Sequence, residues 1–389
     1  MLALRDWLGD SVSINLISPH EGFVYRPLAV AEPFALTTQF EIDLHGFCRD
    51  TAATFRRGEL ASVDPEARMV TVDGDALSFD QLVVATGARA LPGLQDALVF
   101  TGPASVKAYR DLLYQVERGE IGSLAFAVPE GPRWLLPIYE LALMTAVFAR
   151  ARLAQPQLTL VTPEARPLEY FGVETGREII RTLQEWGIEL VPEHRAIRFE
   201  QRSLETDRDL TIVADAVVSV PRLEGPGLPG LPADQEGFID VSSHGEVPRC
   251  NGVFAAGDAT NFPIKHGGIA AQQADAVAEA IAADLDQVAD PGPFRPSLDA
   301  VLLGGEVATH LHRFLTAGTT SGTREQAGEA WWPLGKVAAR HLGSYLADRA
   351  GLASTTPAID SDPLAEDLKR THERGFQTMV GDEEPREPD

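Results

Sequence analysis

Cysteine is scarce: Cys48 and Cys250 are the only two in 389 residues. They lie far apart and in different predicted elements, which excludes a disulfide framework and a CxxC redox pair and fits a reducing cytoplasm. No apolar run approaches the roughly 20 residues of a membrane span. The longest, Leu135 to Phe148, is broken by Pro137 and Glu140. No signal-peptide pattern opens the chain, so the expected location is cytoplasmic, with any membrane contact peripheral and on the inner face. Positive charge is also short: 33 Lys and Arg against 57 Asp and Glu give a formal net charge of −24, which disfavours nucleic acid and anionic lipid as non-specific partners. The nine histidines form no cluster with metal-ligand spacing, and no metal is assigned. Their closest pair, His310-Leu-His312, reads as an exposed strand or helix feature.

What is present is a long apolar supply, 44% of residues, enough for two or three domains. Met1 to Leu8 has the periodicity of the second half of a helix, and Val12 to Ile17 that of a strand. Short strands follow at Thr54–Gly58 and Ala61–Val63, then a hairpin turning at Asp73-Gly74. Gln81 to Gly87 reads as a fully buried parallel strand ending in a tight turn. A second βαβ pattern then begins: a helix at Ser105–Arg118, a strand at Ser123–Val128, a helix at Pro137–Ala151 and a strand at Gln157–Val161. A helix at Glu174–Trp186 and strands at Ile188–Leu190 and Asp209–Val220 continue it, and the Pro- and Gly-rich stretch Pro221–Pro232 reads as a linker. Beyond it come a strand at Gly252–Ala256 and an Ala-rich helix at Gly268–Leu285.

Two strand ends carry the chemistry: Ala85-Thr86-Gly87, and Val253-Phe-Ala-Ala-Gly-Asp258 about 170 residues later. With a βαβ segment between them, they resemble the FAD-dependent pyridine nucleotide-disulfide oxidoreductase superfamily, nearest its sulfide:quinone reductase and type II NADH dehydrogenase branch. The resemblance covers roughly Ser13 to Leu285. It implies an α/β fold of two Rossmann-like domains with a C-terminal α+β tail. The discontinuous FAD domain would be 1–120 and 221–290, the inserted NAD(P)-binding-like domain 121–220, the acceptor or interface region 291–356, and a flexible acidic tail 357–389. Trp331-Trp332 belongs to the acceptor region. By the same resemblance Asp258 hydrogen-bonds the ribityl or pyrophosphate part of FAD, and Gly257 lets the backbone approach. Gly267 and Gly268, after Lys265, then present backbone amides to the flavin pyrimidine ring, where a helix N-terminus favours negative charge. Leu60, in Phe55-Arg-Arg-Gly58-Glu-Leu60, is the expected neighbour of adenine. Arg26 and Tyr25 can lie over the flavin, or Tyr25-Arg-Pro27 can be a packed corner. Asp258 can equally be a helix N-cap and Gly87 a simple turn.

The chain also departs from the pattern. A Rossmann FAD site has Gly-x-Gly-x-x-Gly between its first strand and first helix, because only glycine lets backbone reach the pyrophosphate. That strand and turn are absent here, and the expectation is a true start upstream of Met1. Ser18 stands where an acidic residue would hold the ribose. In the inserted segment the turn reads Pro129-Glu-Gly-Pro-Arg-Trp-Leu-Leu-Pro137, a single glycine with three prolines and Trp134, crowding any pyrophosphate. Glu164 sits where a carboxylate would grip the NAD ribose, or is a solvated loop residue. Cys48 and Cys250 match no redox cysteine of the superfamily and read as packing residues. The expected activity is therefore FAD-dependent electron transfer between a small-molecule donor and an acceptor such as a quinone, with NAD(P)H a weaker candidate donor. The alternatives are a non-catalytic, flavin-free descendant of the fold, an NAD(P)H-dependent dehydrogenase, and sulfide oxidation without cysteines.

Overall fold

The computed structural model describes residues 1–285, 291–292, 294–304, 308–315, 321–325, 336 and 339–349. Trp331-Trp332 and residues 350–389, including the acidic tail expected at 357–389, lie outside the described residues. The chain opens with helix α1 (Leu2–Leu8), then β1 (Asn15–Ser18), β2 (Gly22–Val24), β3 (Glu41–Asp43), α2 (Leu44–Asp50), β4 (Thr54–Arg57), β5 (Leu60–Asp64), β6 (Met69–Val72), β7 (Asp75–Ser78), β8 (Leu82–Val84) and β9 (Arg89–Leu91). The hairpin β6–β7 turns at Asp73 and Gly74, whose positive φ values of 52° and 90° suit an Asp-Gly pair.

A five-stranded parallel sheet follows. Its elements are β10 (Leu98–Val99), α3 (Val106–Glu117), β11 (Ser123–Ala127), α4 (Leu136–Ala151), β12 (Gln157–Val161), α5 (Val173–Glu185) and β13 (Ile188–Val191). An antiparallel excursion through β14 (Ala196–Glu200), β15 (Ser203–Thr206) and β16 (Thr211–Val213) returns to β17 (Ala216–Ser219), giving the parallel order β10-β17-β11-β12-β13. The excursion was invisible to the periodicity reading, which also ran β16 and β17 together. They are separate because the Asp215 carboxylate accepts from Gly122 N–H (2.9 Å), Ser123 N–H (2.8 Å) and the Ser123 hydroxyl (3.0 Å), capping the start of β11.

β18 (Arg222–Glu224) lies inside the stretch expected to be a linker and pairs antiparallel with β9, so that expectation is corrected: backbone pairing needs no apolar alternation. Then come β19 (Val253–Ala255), α6 (Gly267–Asp284), β20 (Ser297–Leu302), β21 (Thr309–Phe314) and β22 (Ser321–Glu325). A second unit begins at Arg340 and contains α7 (Arg340–Arg349).

The apolar run at Leu135–Phe148 has its explanation here. α4 touches β11, β12 and β13 of the parallel sheet and also β20, so it is buried nearly all round, the mark of a core helix. No helix among the described residues is long and apolar enough to cross a membrane.

β1 pairs in parallel only with β4, and β8 only with β19. Ile17 of β1 and Leu82 of β8 nevertheless pack on one apolar cluster of Val63, Val70 and Val72. β8 is shorter than expected and not fully buried, since Val83 is 37% exposed. Among the described residues no strand pairs with the other edge of β8, which leaves that side open and accounts for the exposure.

Between β18 and β19 the backbone approaches itself closely at Gly225. Its N–H donates to Glu236 O at 2.9 Å, and a Cβ there would overlap the Gly237 carbonyl. Gly225→Ala is expected to destabilise the chain by about 1–3 kcal/mol in urea denaturation. Gly292→Ala, where a Cβ meets open space, should leave the midpoint in place.

Candidate functional site

The register of β8 on β19, Val84 opposite Ala255, with Ala256 N–H donating to Val84 O at 3.1 Å, sends both chains out of the same end of the pair. Ala85-Thr86-Gly87 and Gly257-Asp258 therefore emerge side by side. Ala85 and Thr86 are exposed, and Gly87 (φ 74°) and Gly257 (φ 75°) both take the left-handed backbone that glycine allows.

Gly257 is held from two sides. Its N–H donates to Gln273 Oε1 at 2.8 Å and its carbonyl accepts from the Thr260 hydroxyl at 2.9 Å. This fixes the Asp258 side chain beside the start of α6. Asp258 does not cap that helix: His266 is the N-cap residue and no side chain bonds the first amides, so the orphan N–H groups of Gly267 and Gly268 carry the positive end of an 18-residue helix. The Asp258 carboxylate accepts no hydrogen bond from the described residues. Burial pushes its pKa up, against the pull of Lys265 and Arg26.

Lys265 is buried, its ammonium donating to Thr260 O and lying 3.9 Å from the centre of the Phe238 ring. Burial lowers its pKa to about 8, with Asp258 opposing and Arg133 assisting. Arg133 covers the same ring at 4.9 Å and pairs with Glu236. His266 is 7% exposed, its ring 4.6 Å from that of Trp134. Burial holds its pKa down to about 4, with Asp299 pulling the other way.

That histidine supports a pH prediction. The unfolded imidazole binds its proton below about pH 6.5, the folded one only near pH 4. Between those values the unfolded state holds more protons, so stability falls as pH drops, by roughly 3 kcal/mol for the full window. Urea denaturation across pH 4–7 should show wild type losing ground to His266→Gln as pH falls; parallel curves would exclude the effect.

Of the sequence-predicted residues, Gly257, Asp258, Lys265, Gly267 and Gly268 form one site, and Arg26, exposed on the turn Arg26–Leu28, lies within its electrostatic reach. Ser18 ends β1, its hydroxyl accepting from His20 N–H at 3.1 Å. Leu60 packs into two apolar clusters with Val63, Val72 and Val253 among their members. Glu164 is not the solvated loop residue allowed above: it is buried, accepts from the Tyr139 hydroxyl at 2.6 Å and from Glu169 N–H at 3.2 Å, and burial raises its pKa. His310 and His312 sit on β21, half-buried rather than exposed, because that strand pairs with β20, where Asp299 binds His312. Sequence reasoning missed Thr260 and Phe238, which no motif marks, and gave no role to Gln273, in the segment after Gly268 that resembles the flavin-facing stretch, or to Arg133, in the 129–137 turn. His266 lies between Lys265 and Gly267, its position before two glycines being its signal.

The deciding feature is a parallel pair bearing both loops, interrupted by a complete parallel sheet of its own. Solved structures share the overall fold. The sulfide:quinone oxidoreductase of the hyperthermophilic bacterium Aquifex aeolicus superposes with a TM-score of 0.76 at 18% identity, covering 99% of this chain and 92% of that one. The chain has the two-domain Rossmann-like α/β fold of that structure. A ferredoxin reductase from Rhodopseudomonas palustris gives 0.62 at 19% identity over 82% of this chain and 79% of that one. The NDH2 of Plasmodium falciparum, in complex with NADH, gives 0.55 at 14% identity over 67% and 62%. No protein-family model and no curated protein matches the chain.

The same residues meet a flavin's requirements at one end. A half-buried carboxylate without a donor among the described residues fits a ribityl hydroxyl, and the uncapped α6 amides with Lys265 fit an electron-rich ring edge.

Proposed function

We propose that this chain is an FAD-dependent oxidoreductase moving electrons from a small-molecule donor to a small acceptor such as a quinone. The observation that carries the reading is Asp258, a half-buried carboxylate with no hydrogen-bond donor among the described residues, set beside the uncapped N-terminus of α6. Asp258 and Gly257 would hold the ribityl end, and Gly267, Gly268 and Lys265 the pyrimidine edge. Bound flavin supplies two-electron chemistry with stepwise or hydride transfer. The chain's own residues orient it, keep water from Lys265 by burial, and concentrate positive potential from Lys265, Arg26 and the helix end where negative charge develops. The diphosphate half calls for a strand and glycine-rich turn beside β1 and β8, which the helix α1 and its short flanks do not supply.

A donor other than NAD(P)H fits best. The turn 129–137 is occupied by its own packing: a Cβ on Gly131 would overlap Arg222, Arg133 pairs with Glu236, and Trp134 lies on His266. Glu164 is engaged by Tyr139 instead of facing a ribose. In stopped-flow absorbance, the flavin-loaded protein reduced by dithionite is expected to reoxidise on mixing with menadione. Addition of NADH to the oxidised protein is expected to bleach it at least ten times more slowly than dithionite. No reoxidation by menadione would remove the quinone from the reading; rapid bleaching by NADH would reverse the choice of donor.

A further inference from the structure

His266 is the residue the flavin reading leaves without a task. Among the described residues its Nδ1 is buried and has no hydrogen-bond partner, which costs a folded protein about as much as losing a hydrogen bond. Nearby, Gln273 bridges Gly257 and Thr260, and on β20 Asp299 binds both the Ser297 hydroxyl, at 2.8 Å, and His312. The imidazole immediately precedes Gly267, so it stands one residue from the amides assigned to the flavin edge. One of its ring neighbours is Trp134, centroid to centroid 4.6 Å with the planes 41° apart, and Trp134 rests in turn on Phe171 at 6.0 Å. Trp134 belongs to the proline-rich turn that in a dinucleotide-binding domain would face a ligand.

Resting on the flavin reading, we propose that His266 and Trp134 form the acceptor site: a planar carbonyl compound of the quinone class takes the place of the indole against the imidazole, and His266 Nδ1–H donates to its carbonyl oxygen. The indole then fills the slot in the empty protein, as one flat ring standing in for another. The charged groups within electrostatic reach of the imidazole are Asp299 on β20 and Lys336. Asp299, held by Ser297 and His312, opposes Lys336 and stabilises the polarised imidazole when its proton is shared. His266 is in this sense a binding residue, and Asp299 a positioning residue.

The test is menadione binding to the full chain, followed by the imidazole nitrogen resonances of ¹⁵N-histidine-labelled protein, with the His266 signals assigned by their loss in His266→Asn. The expected result is a saturable shift of the His266 Nδ1 resonance. His266→Asn should weaken menadione binding by roughly 2- to 10-fold, and Trp134→Ala, which removes the competing ring, should tighten it by roughly 2- to 10-fold. Unchanged affinity in His266→Asn, or a shift confined to His310 and His312, would overturn the proposal. Should the protein bind flavin but leave the His266 resonance unmoved by menadione, this site is wrong while the flavin reading stands. A His266 shift in protein that takes up no flavin would instead retain the site and remove the flavin reading.

Discussion

Glu140→Ala is expected to destabilise the chain by about 3–5 kcal/mol, the largest effect of any substitution considered. Glu140 on α4 is 1% exposed and Lys336 is 5% exposed, with Nζ 2.8 Å from Oε1 and 2.9 Å from Oε2. Oε1 also accepts from Leu303 N–H at 3.0 Å. Burial pushes the Glu140 pKa up and the Lys336 pKa down, and their mutual attraction works against both shifts. Removing the carboxylate strands a buried ammonium and a backbone N–H together. The pair itself is a different matter: two charges taken out of water give back in attraction roughly what they cost. Glu140→Leu combined with Lys336→Met is therefore expected to recover most of the loss. Urea denaturation of the single and double variants checks both statements, and a double variant as unstable as Glu140→Ala would show that the pair is worth more than burial of its apolar replacements.

Asp258→Ala is expected to weaken FAD binding by about 10- to 100-fold, the equivalent of one hydrogen bond to a charged group. The same substitution should not destabilise the flavin-free protein, because desolvation already disfavours the carboxylate and no donor among the described residues satisfies it. Opposite responses of affinity and stability separate a ligand-binding carboxylate from a structural one. A helix cap at this position would lose about 1 kcal/mol on truncation and leave flavin affinity alone. Equilibrium binding of FAD, read from the quenching of its fluorescence, and urea denaturation of the flavin-free variants distinguish the two.

How much of this was legible in the sequence depends on what each residue's role leaves as a trace. Buried strands in parallel sheets must be apolar on both faces, so Gln157–Val161 could be read to the residue and Ser123–Ala127 within one. Gly257-Asp258 ahead of an Ala-rich helix was legible because a left-handed turn needs glycine and a helix start leaves its own signal. β14, β15 and β18 were not, since antiparallel pairing through Arg198, Glu205 or Arg222 needs backbone, not apolar alternation. The burial of Glu164 was missed for a similar reason: Tyr139, whose hydroxyl engages it, lies 25 residues away on α4, and only the fold brings them together. Lys265 was found through its motif, but its place over Phe238 depends on a loop that carries no motif. Trp134 looked like an obstruction in a damaged nucleotide turn; its contact with His266 gives the obstruction a partner.

The most direct test of the central claim, that Asp258 and the start of α6 hold a flavin, is the visible absorbance of the purified protein after incubation with FAD and removal of the excess. The account predicts a yellow, dithionite-bleachable protein. A folded protein that retains no flavin would contradict it and leave a flavin-free descendant of the fold.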